Sequence, residues 1–222
     1  MDVYTTEDEQ IAAIKKWWKE NWMSLLGGVL IGGAALIGGK YWLDSKSQHA
    51  EMASYEFEIL IQALNANKPE QAAEKASLLL GQYVDTPYAG LASLAMAKIK
   101  VESDDLVAAK SHLRWAMDNA TQDDVKLIAK IRMARVLLAE AKYDDALTTL
   151  EGIKSGAQKA GIEELKGDIY VAKGETDKAR RAYNVALVAL DSAAASVSSR
   201  ARNFLQIKLD DLGETTAPTE ES

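Results

Sequence analysis

Residues 22–39 read WMSLLGGVLIGGAALIGG, an apolar run of 18 residues without a charged side chain. At a rise of about 1.5 Å per residue, a helix of this length measures roughly 27 Å, close to the thickness of one hydrocarbon core. Aromatic residues of the kind that prefer membrane interfaces flank the run: Trp17, Trp18, Trp22, Tyr41 and Trp42. The sequence therefore predicts a transmembrane helix over residues 22–43.

A cleaved signal peptide is the alternative that this run leaves open. The apolar part of a signal peptide usually spans about 7–15 residues behind a short basic leader. Here the run is longer, and the 21 residues before it include Glu7, Asp8 and Glu9. The small residues Ser45 and Ser47 still offer a cleavage site after the run. The length of the run favours a retained anchor.

The lysines near the run set the expected orientation. Three precede it and two follow it: Lys15, Lys16 and Lys19, then Lys40 and Lys46. Because cytoplasmic flanks carry the excess of lysine and arginine, residues 1–21 are expected in the cytoplasm and residues 44–212 on the far side of the membrane. The chain has no cysteine, which is compatible with either compartment.

Small residues line one side of the predicted membrane helix. They recur at steps of three or four residues: Ser24, Gly28, Gly32, Ala35 and Gly39. We call this row the small face. Small side chains let a second helix approach closely in lipid, so the small face is a candidate docking surface for a partner helix or a second copy. The alternative is that membrane helices simply tolerate glycine.

The chain after residue 44 predicts only helices. Its apolar residues recur at helical spacing, and short polar breaks such as 67–69, 103–105 and 173–175 separate the segments, as in antiparallel helix pairs. A helix over residues 195–212 is expected to cover the end of the stack. The acidic residues 213–222 lack large apolar side chains and are expected to be disordered.

Self-comparison reveals a period of 33 to 37 residues. The recurring positions resemble the tetratricopeptide signature, in which small residues let two helices cross closely and large ones fill the gaps. The predicted repeat-packing residues are Ala97, Ala109, Ala116, Ala134, Ala146, Gly167, Tyr170, Gly174, Ala179, Tyr183 and Ala186. Residues 47–83 do not align with this pattern. The predicted fold is all-α, with a single N-terminal transmembrane helix followed by a tetratricopeptide-like helical-repeat solenoid.

The tetratricopeptide resemblance also implies a binding surface. In that fold the first helix of each pair lines a concave face. The matching positions here form the predicted groove: Leu91, Leu94, Lys98 and Val101, then Ile131, Arg135 and Leu138, then Glu164, Asp168 and Val171. This mixture of apolar and charged residues would suit an extended or partly folded chain. Equally, its aliphatic members would serve as ordinary core.

The composition provides few of the residues that catalytic sites commonly use. His49 and His112 are the only histidines, cysteine is absent, and no glycine-rich loop joins a strand to a helix. Nucleophilic triads, thiolate metal sites and phosphate cradles therefore lack their parts, and we expect no enzyme, cofactor or metal. A hydrolase built on acidic pairs is the remaining enzymatic alternative, although helix starts also favour acids. The net charge of −7 would repel nucleic acid.

Four stretches carry a likeness to a known family: EDEQ at 7–10, ALIGGKYW at 35–42, YAGLASL at 88–94 and RMARV at 132–136. Together with the repeat period, they resemble the YfgM-type family of proteobacterial inner-membrane proteins, the ancillary subunits of the Sec translocon. The likeness spans nearly the full chain. The tail after Leu212 is longer than is usual for that family.

The resemblance implies a single-pass inner-membrane scaffold with a cytoplasmic N-terminus and a periplasmic repeat domain beside the SecYEG channel. It further implies a membrane-anchored periplasmic chaperone of the prolyl-isomerase type as a partner, and unfolded secreted proteins as clients. Membrane lipid would surround the anchor. The alternative is a soluble periplasmic repeat protein for envelope maintenance, released by cleavage after Ser47.

Overall fold

The computed structural model describes residues 7–153, 156, 158–191 and 195–213. These residues form nine α-helices and no strand, which confirms the all-α prediction. The helices are α1 (Glu7–Asn65), α2 (Pro69–Gln82), α3 (Pro87–Glu102), α4 (Leu106–Asn119), α5 (Asp123–Ala139), α6 (Tyr143–Leu150), α7 (Lys159–Ala172), α8 (Thr176–Asp191) and α9 (Ala195–Asp210). The start of the predicted cytoplasmic segment, residues 1–6, and residues 214–222 of the predicted tail lie outside the described residues.

The chain divides into two compact units, Met1–Met52 and Ala53–Ser222. Helix α1 contributes to both. The chain stays helical through residues 43 and 44, where the predicted transmembrane helix ends and the predicted repeat domain begins. The physical reason is that neither proline nor glycine occurs between Lys40 and Asn65, so nothing interrupts the backbone hydrogen bonds.

In the first unit, α1 presents an apolar surface over several turns. Leu36 and Ile37 are 77% and 74% exposed, and most other apolar side chains of residues 22–43 are exposed as well. By length and composition this helix can cross a membrane. Such a surface is stable when lipid or another apolar helix covers it.

In the second unit, the remaining helices stack in chain order. Each helix from α2 to α8 packs against the next one along the chain. In addition, α3 packs against α5, and α5 against α7. The first helices of successive pairs therefore lie side by side, as in a solenoid.

Buried alanines let paired helices approach each other closely. Ala72, Ala109, Ala146 and Ala179 are each fully buried, and they stand 37, 37 and 33 residues apart. Each lies in the first turn or two of the second helix of its pair, in α2, α4, α6 and α8. Ala72 lies in one buried cluster with Ala53, Leu60 and Ala63, so residues 53–82 pack as a helix pair with an alanine at the same place as the other pairs.

The turns inside the pairs share one backbone geometry. Asn67, Asp104, Ala141 and Gly174 have φ values of 54°, 60°, 58° and 79°. In each turn this residue donates its N–H to the carbonyl three residues back, and the next residue donates to the carbonyl five residues back. This is the Schellman arrangement, which satisfies carbonyls left free at a helix end.

The repeat pattern of the sequence does not reveal the helix pair formed by residues 53–65 and α2. The reason is that the large and small residues of its core are exchanged relative to the next pair. Ala76 and Leu79 occupy the places that Leu113 and Ala116 hold in the next pair, and all four are buried. The total volume is similar, so the packing survives although the pattern does not.

Helix α9 packs against α8 at the end of the stack. Leu205 and Leu209 are buried in one cluster with Tyr183 and Ala186. Arg180 on α8 donates from Nη2 to the carbonyl oxygen of Gly213 at 2.5 Å, which secures the chain just beyond α9.

Candidate functional site

The small face of α1 is open. Ser24, Gly28, Gly32, Ala35 and Gly39 are exposed, and no atom lies within 4 Å of a Cβ added at any of the three glycines. The same holds for Gly27, Gly33 and Gly38 outside the small face. The first unit therefore leaves space for close helix contact. The glycines of the small face and the glycines outside it are equally open.

Most of the predicted repeat-packing residues lie in the interior of the second unit. The alanines of this set are buried, as are Gly167 and Tyr183. Tyr170 is half-buried, and Gly174 is exposed at a turn where its positive φ favours glycine. The closest approach is at Gly167, where an added Cβ would lie 2.2 Å from Cε1 of Tyr183.

The predicted groove positions fall into three environments. Four aliphatic members belong to the core or pack against it, with Leu94 buried and Leu91, Ile131 and Leu138 partly buried. Four are exposed: Lys98, Val101, Arg135 and Val171. The last two, Glu164 and Asp168, have partners within the chain.

Lys208 of α9 forms ion pairs with both carboxylates of the predicted groove, Glu164 and Asp168. Its Nζ donates to Glu164 Oε1 at 2.8 Å and to Asp168 Oδ1 at 2.7 Å. The Tyr183 hydroxyl also donates to Asp168 Oδ1, at 2.7 Å. This network joins α7, α8 and α9, so these carboxylates hold the cap of the stack.

The network also sets the protonation of its members. Burial lowers the pKa of Lys208, but the hydrogen bonds to Asp168 and Glu164 outweigh that effect and leave the pKa above its ordinary value. Burial, aided by the hydrogen bond to Asp168, raises the pKa of the Tyr183 hydroxyl. Lys208 is therefore charged and Tyr183 neutral throughout the physiological range.

A cavity of about 370 Å³ lies where α3 and α5 meet above α4. Its lining combines ten residues: Ala97, Lys98, Val101, Glu102, Leu106, Leu113, Arg132, Arg135, Val136 and Ala139. Three predicted groove residues, Lys98, Val101 and Arg135, come together here. We call this space the α3–α5 cavity.

Sequence reasoning missed the other lining residues, including Arg132 and Glu102. A local signal existed, because Arg132, Arg135, Val136 and Ala139 follow the i, i+3, i+4, i+7 spacing of one helix face. Arg132 donates from Nη1 to the carbonyl oxygen of Leu94 at 3.2 Å, a bond that joins α5 to α3. Such a contact between distant residues is not visible in a single helical pattern.

A second, larger cavity of about 890 Å³ opens between α4, α5 and α6. Beside it, Lys110 and Lys142 both donate to Glu140, at 2.5 Å and 3.1 Å from its Oε2. The hydrogen bonds from Lys110 and Lys142 lower the pKa of Glu140. One carboxylate thus bridges two ammonium groups, which is typical of a structural link between helices.

No group of three or more histidine, cysteine, aspartate or glutamate side chains in the described part of the chain could hold a metal ion. His112 lies alone on α4, and its backbone carbonyl accepts a hydrogen bond from Ser93 Oγ at 2.7 Å. The acidic pairs Asp123-Asp124 and Asp144-Asp145 occupy the first turns of α5 and α6. There they complement the helix dipole.

An exposed apolar helix followed by stacked helix pairs defines a helical-repeat protein with an N-terminal anchor helix. The model of the tetratricopeptide repeat-like domain family matches residues 15–214. No solved structure matches the chain significantly.

Three relatives share the name ancillary SecYEG translocon subunit. The protein of Escherichia coli is 29% identical over 214 residues, which cover 96% of this chain and 99% of the relative. That of Aggregatibacter actinomycetemcomitans is 32% identical over 212 residues, covering 94% and 99%. That of Haemophilus influenzae is 31% identical over 188 residues, covering 82% and 90%. The chain belongs to this family of tetratricopeptide-like translocon subunits, which confirms the resemblance seen in its sequence.

Proposed function

We propose that this protein is a non-enzymatic adaptor of the inner membrane that α1 holds at the SecYEG translocon. One observation carries the proposal: the similarity to the Escherichia coli and Aggregatibacter subunits includes the apolar helix and the repeat domain together, over 94% or more of this chain. The two parts have complementary properties. The helix has an exposed apolar surface, and the domain offers a partly open row of first helices.

The proposal assigns one side of the membrane to each end of the chain. Lys15, Lys16 and Lys19 support a cytoplasmic N-terminal segment, and the domain of residues 44–212 would then lie in the periplasm. Because the chain has no cysteine, a single introduced cysteine is a unique reporter of side. A membrane-impermeant maleimide given to cells with a permeabilised outer membrane should label Asp118→Cys and spare Ala13→Cys. The reverse pattern would contradict this orientation.

The repeat domain is the part that we assign to partner proteins. Its exposed first-helix positions include Lys98, Arg135 and Val171, which leaves apolar and charged contacts available to another chain. The partners that the family resemblance implies are a membrane-anchored periplasmic chaperone of the prolyl-isomerase type and newly exported, unfolded chains. An adaptor of this kind would need no cofactor and no catalytic group.

Retention of the anchor is part of the proposal. Ser45 and Ser47, the small residues after the apolar run, lie inside helix α1. Proteases cut exposed, locally extended backbone most readily, so a continuous helix disfavours cleavage at this site. Mass spectrometry of the mature protein should therefore find residues 1–47 still attached.

The deletion of residues 1–43 tests the division of labour. We expect the full chain to co-purify with SecYEG in mild detergent and the deleted chain to be released from both the membrane and the translocon. Survival of the SecYEG association in the deleted chain would contradict the proposal, because the repeat domain alone would then provide the contact.

A further inference from the structure

The α3–α5 cavity has an apolar floor. Ala97, Leu113 and Val136 are buried at its base, and Leu106 is half-buried beside them. Its volume of about 370 Å³ is at the lower end of the range of about 300–1,000 Å³ that small-ligand sites occupy. The space therefore suits one or two side chains of an extended segment and is too small for a folded domain.

The rim of the cavity carries an excess of positive charge. Lys98, Arg132 and Arg135 stand on it with a single carboxylate, Glu102. Glu102 pairs with Lys98 at 3.6 Å, and both side chains are more than half exposed, so that pair is weak. Within the part of the chain that the structure describes, no carboxylate lies within ion-pair distance of either arginine.

Two neighbouring guanidinium groups without a carboxylate are unexpected in a chain with a net charge of −7. Burial lowers the pKa of Arg132, and the positive charge of Arg135 lowers it further. The two groups thus disfavour each other electrostatically, and an anion between them would relieve the repulsion. Other cations of the domain differ in this respect, since Lys110, Lys173 and Lys208 each have a carboxylate partner.

Arg132 is also held in position before any ligand arrives. Its Nη1 donates to the carbonyl oxygen of Leu94, which fixes the guanidinium against α3. A guanidinium has five N–H donors, so most of them stay available. Arginine binds carboxylates through two parallel hydrogen bonds, and a fixed guanidinium loses little freedom on binding.

We propose that the α3–α5 cavity binds an acidic, extended segment of a partner protein. An aliphatic side chain of that segment enters the cavity, and carboxylates on either side of it bind Arg132 and Arg135. The inference deepens the proposed function, since it names the chemistry that the repeat domain recognises. This inference rests on the proposed function in one respect, namely that the ligand is a segment of a protein.

Binding of short labelled peptides to the full chain in detergent micelles tests the proposal by fluorescence anisotropy. The probe is a decapeptide with a central leucine flanked by glutamates; one control peptide has glutamines in place of the glutamates, and another has alanine in place of the leucine. We expect the glutamate and leucine peptide to bind most tightly and to weaken as salt rises. Equal binding of all three peptides, or binding of none, would overturn the proposal.

The matched variants are Arg135→Glu in the cavity and Arg114→Glu outside it. Both arginines are exposed helix residues, and both substitutions change the net charge equally, but Arg114 lines the other cavity, between α4, α5 and α6. We expect Arg135→Glu to weaken peptide binding roughly five- to tenfold, from the loss of one or two surface ion pairs. Arg114→Glu should stay within about twofold of the unmodified chain.

Two results would reject this site. One is equal weakening by both variants, which would indicate attraction to the overall charge only. The other is binding to phosphatidylglycerol vesicles that depends on Arg135 when the peptides do not bind, which would indicate lipid headgroups as the ligand. Both leave SecYEG co-purification untouched, so failure of this inference is distinguishable from failure of the proposed function.

Discussion

The contact between Gly167 and Tyr183 is the tightest glycine position in the described helices. An added Cβ would lie 2.2 Å from Cε1 and 2.3 Å from Cδ1 of a ring that is almost fully buried. We expect Gly167→Ala to lower the free energy of unfolding by about 1–3 kcal/mol, the usual cost of overpacking a core. Urea denaturation of the full chain in detergent, followed by circular dichroism, measures this change.

Gly161 provides the control in the same helix. It is exposed in α7, and nothing lies within 4 Å of an added Cβ. Gly161→Ala should be neutral or stabilising by up to about 1 kcal/mol, because alanine favours the helix. If the two substitutions destabilise the chain equally, the close packing of α7 on α8 is wrong.

His112 makes the stability of the repeat domain depend on pH. Burial lowers the pKa of its imidazole, the charge of Lys100 lowers it further, and Asp105 opposes them. Below the ordinary pKa of 6.5 the unfolded chain therefore takes up this proton more readily than the folded chain does. The resulting contribution to stability is present above that pH and is lost as the pH falls.

We expect the His112→Gln variant to lose this part of the pH dependence. The free energy of unfolding, measured near pH 7.5 and near pH 5.5, should fall less in the variant than in the unmodified chain. An identical fall in both proteins would mean that the pKa of His112 is the same in the folded chain as in the unfolded chain.

At the scale of the elements, the turn within each helix pair decides where the second helix begins. Ala141 has a φ of 58° in its turn, a conformation that costs a residue with a Cβ about 1–2 kcal/mol. Glycine occupies the corresponding place at Gly174 without that cost. We expect Ala141→Gly to stabilise the chain by up to about 1 kcal/mol in urea denaturation, because the relief of this strain exceeds the stability that the greater freedom of glycine in the unfolded chain removes.

Ala139, two residues earlier, tests the sign of that effect. It is exposed and has helical conformation at the end of α5. Ala139→Gly should therefore destabilise the chain by about 0.5–1 kcal/mol. Destabilisation by both substitutions would contradict the left-handed geometry of the turn.

The small face makes α1 a candidate for helix docking as well as an anchor. Leucine at Gly28 and Gly32 would fill the face without a clash inside the chain, since nothing lies within 4 Å of either position. We expect the double variant to insert into the membrane normally and to cross-link less to its partner helix. The matched control is leucine at Gly33 and Gly38, outside the small face. Equal cross-linking in the two variants would remove the argument for this surface.

For the molecule as a whole, the sequence predicts the architecture more completely than it predicts the functional site. The run of residues 22–39 and the recurring alanines, such as Ala109 and Ala146, were enough to predict an apolar helix and a helical repeat. The repeat formed by residues 53–82 was hidden because Ala76 and Leu79 exchange sizes with their counterparts. Core packing constrains total volume more strongly than the residue at each place.

The groove was harder to predict because its chemistry depends on distant partners. Glu164 and Asp168 looked available, but Lys208 reaches them from a helix 40 or more residues further along the chain. Arg132 lies on a helix face that the spacing of α5 reveals, but its bond to Leu94 spans 38 residues and is not visible in that pattern. Periodicity places a residue on a helix face, whereas ion pairing across helices decides whether that residue stays free for a ligand.

In the proposed function, α1 brings this repeat protein to the SecYEG translocon. The most direct test replaces residues 1–43 by an unrelated single-span helix of equal length and orientation, so that membrane attachment and the repeat domain are both kept. SecYEG recovered with the tagged protein from detergent-solubilised membranes is then quantified. We predict that the full chain recovers SecYEG and that the chimaera, although still in the membrane, recovers only background amounts. Equal recovery by the chimaera would mean that α1 does not provide the contact with SecYEG.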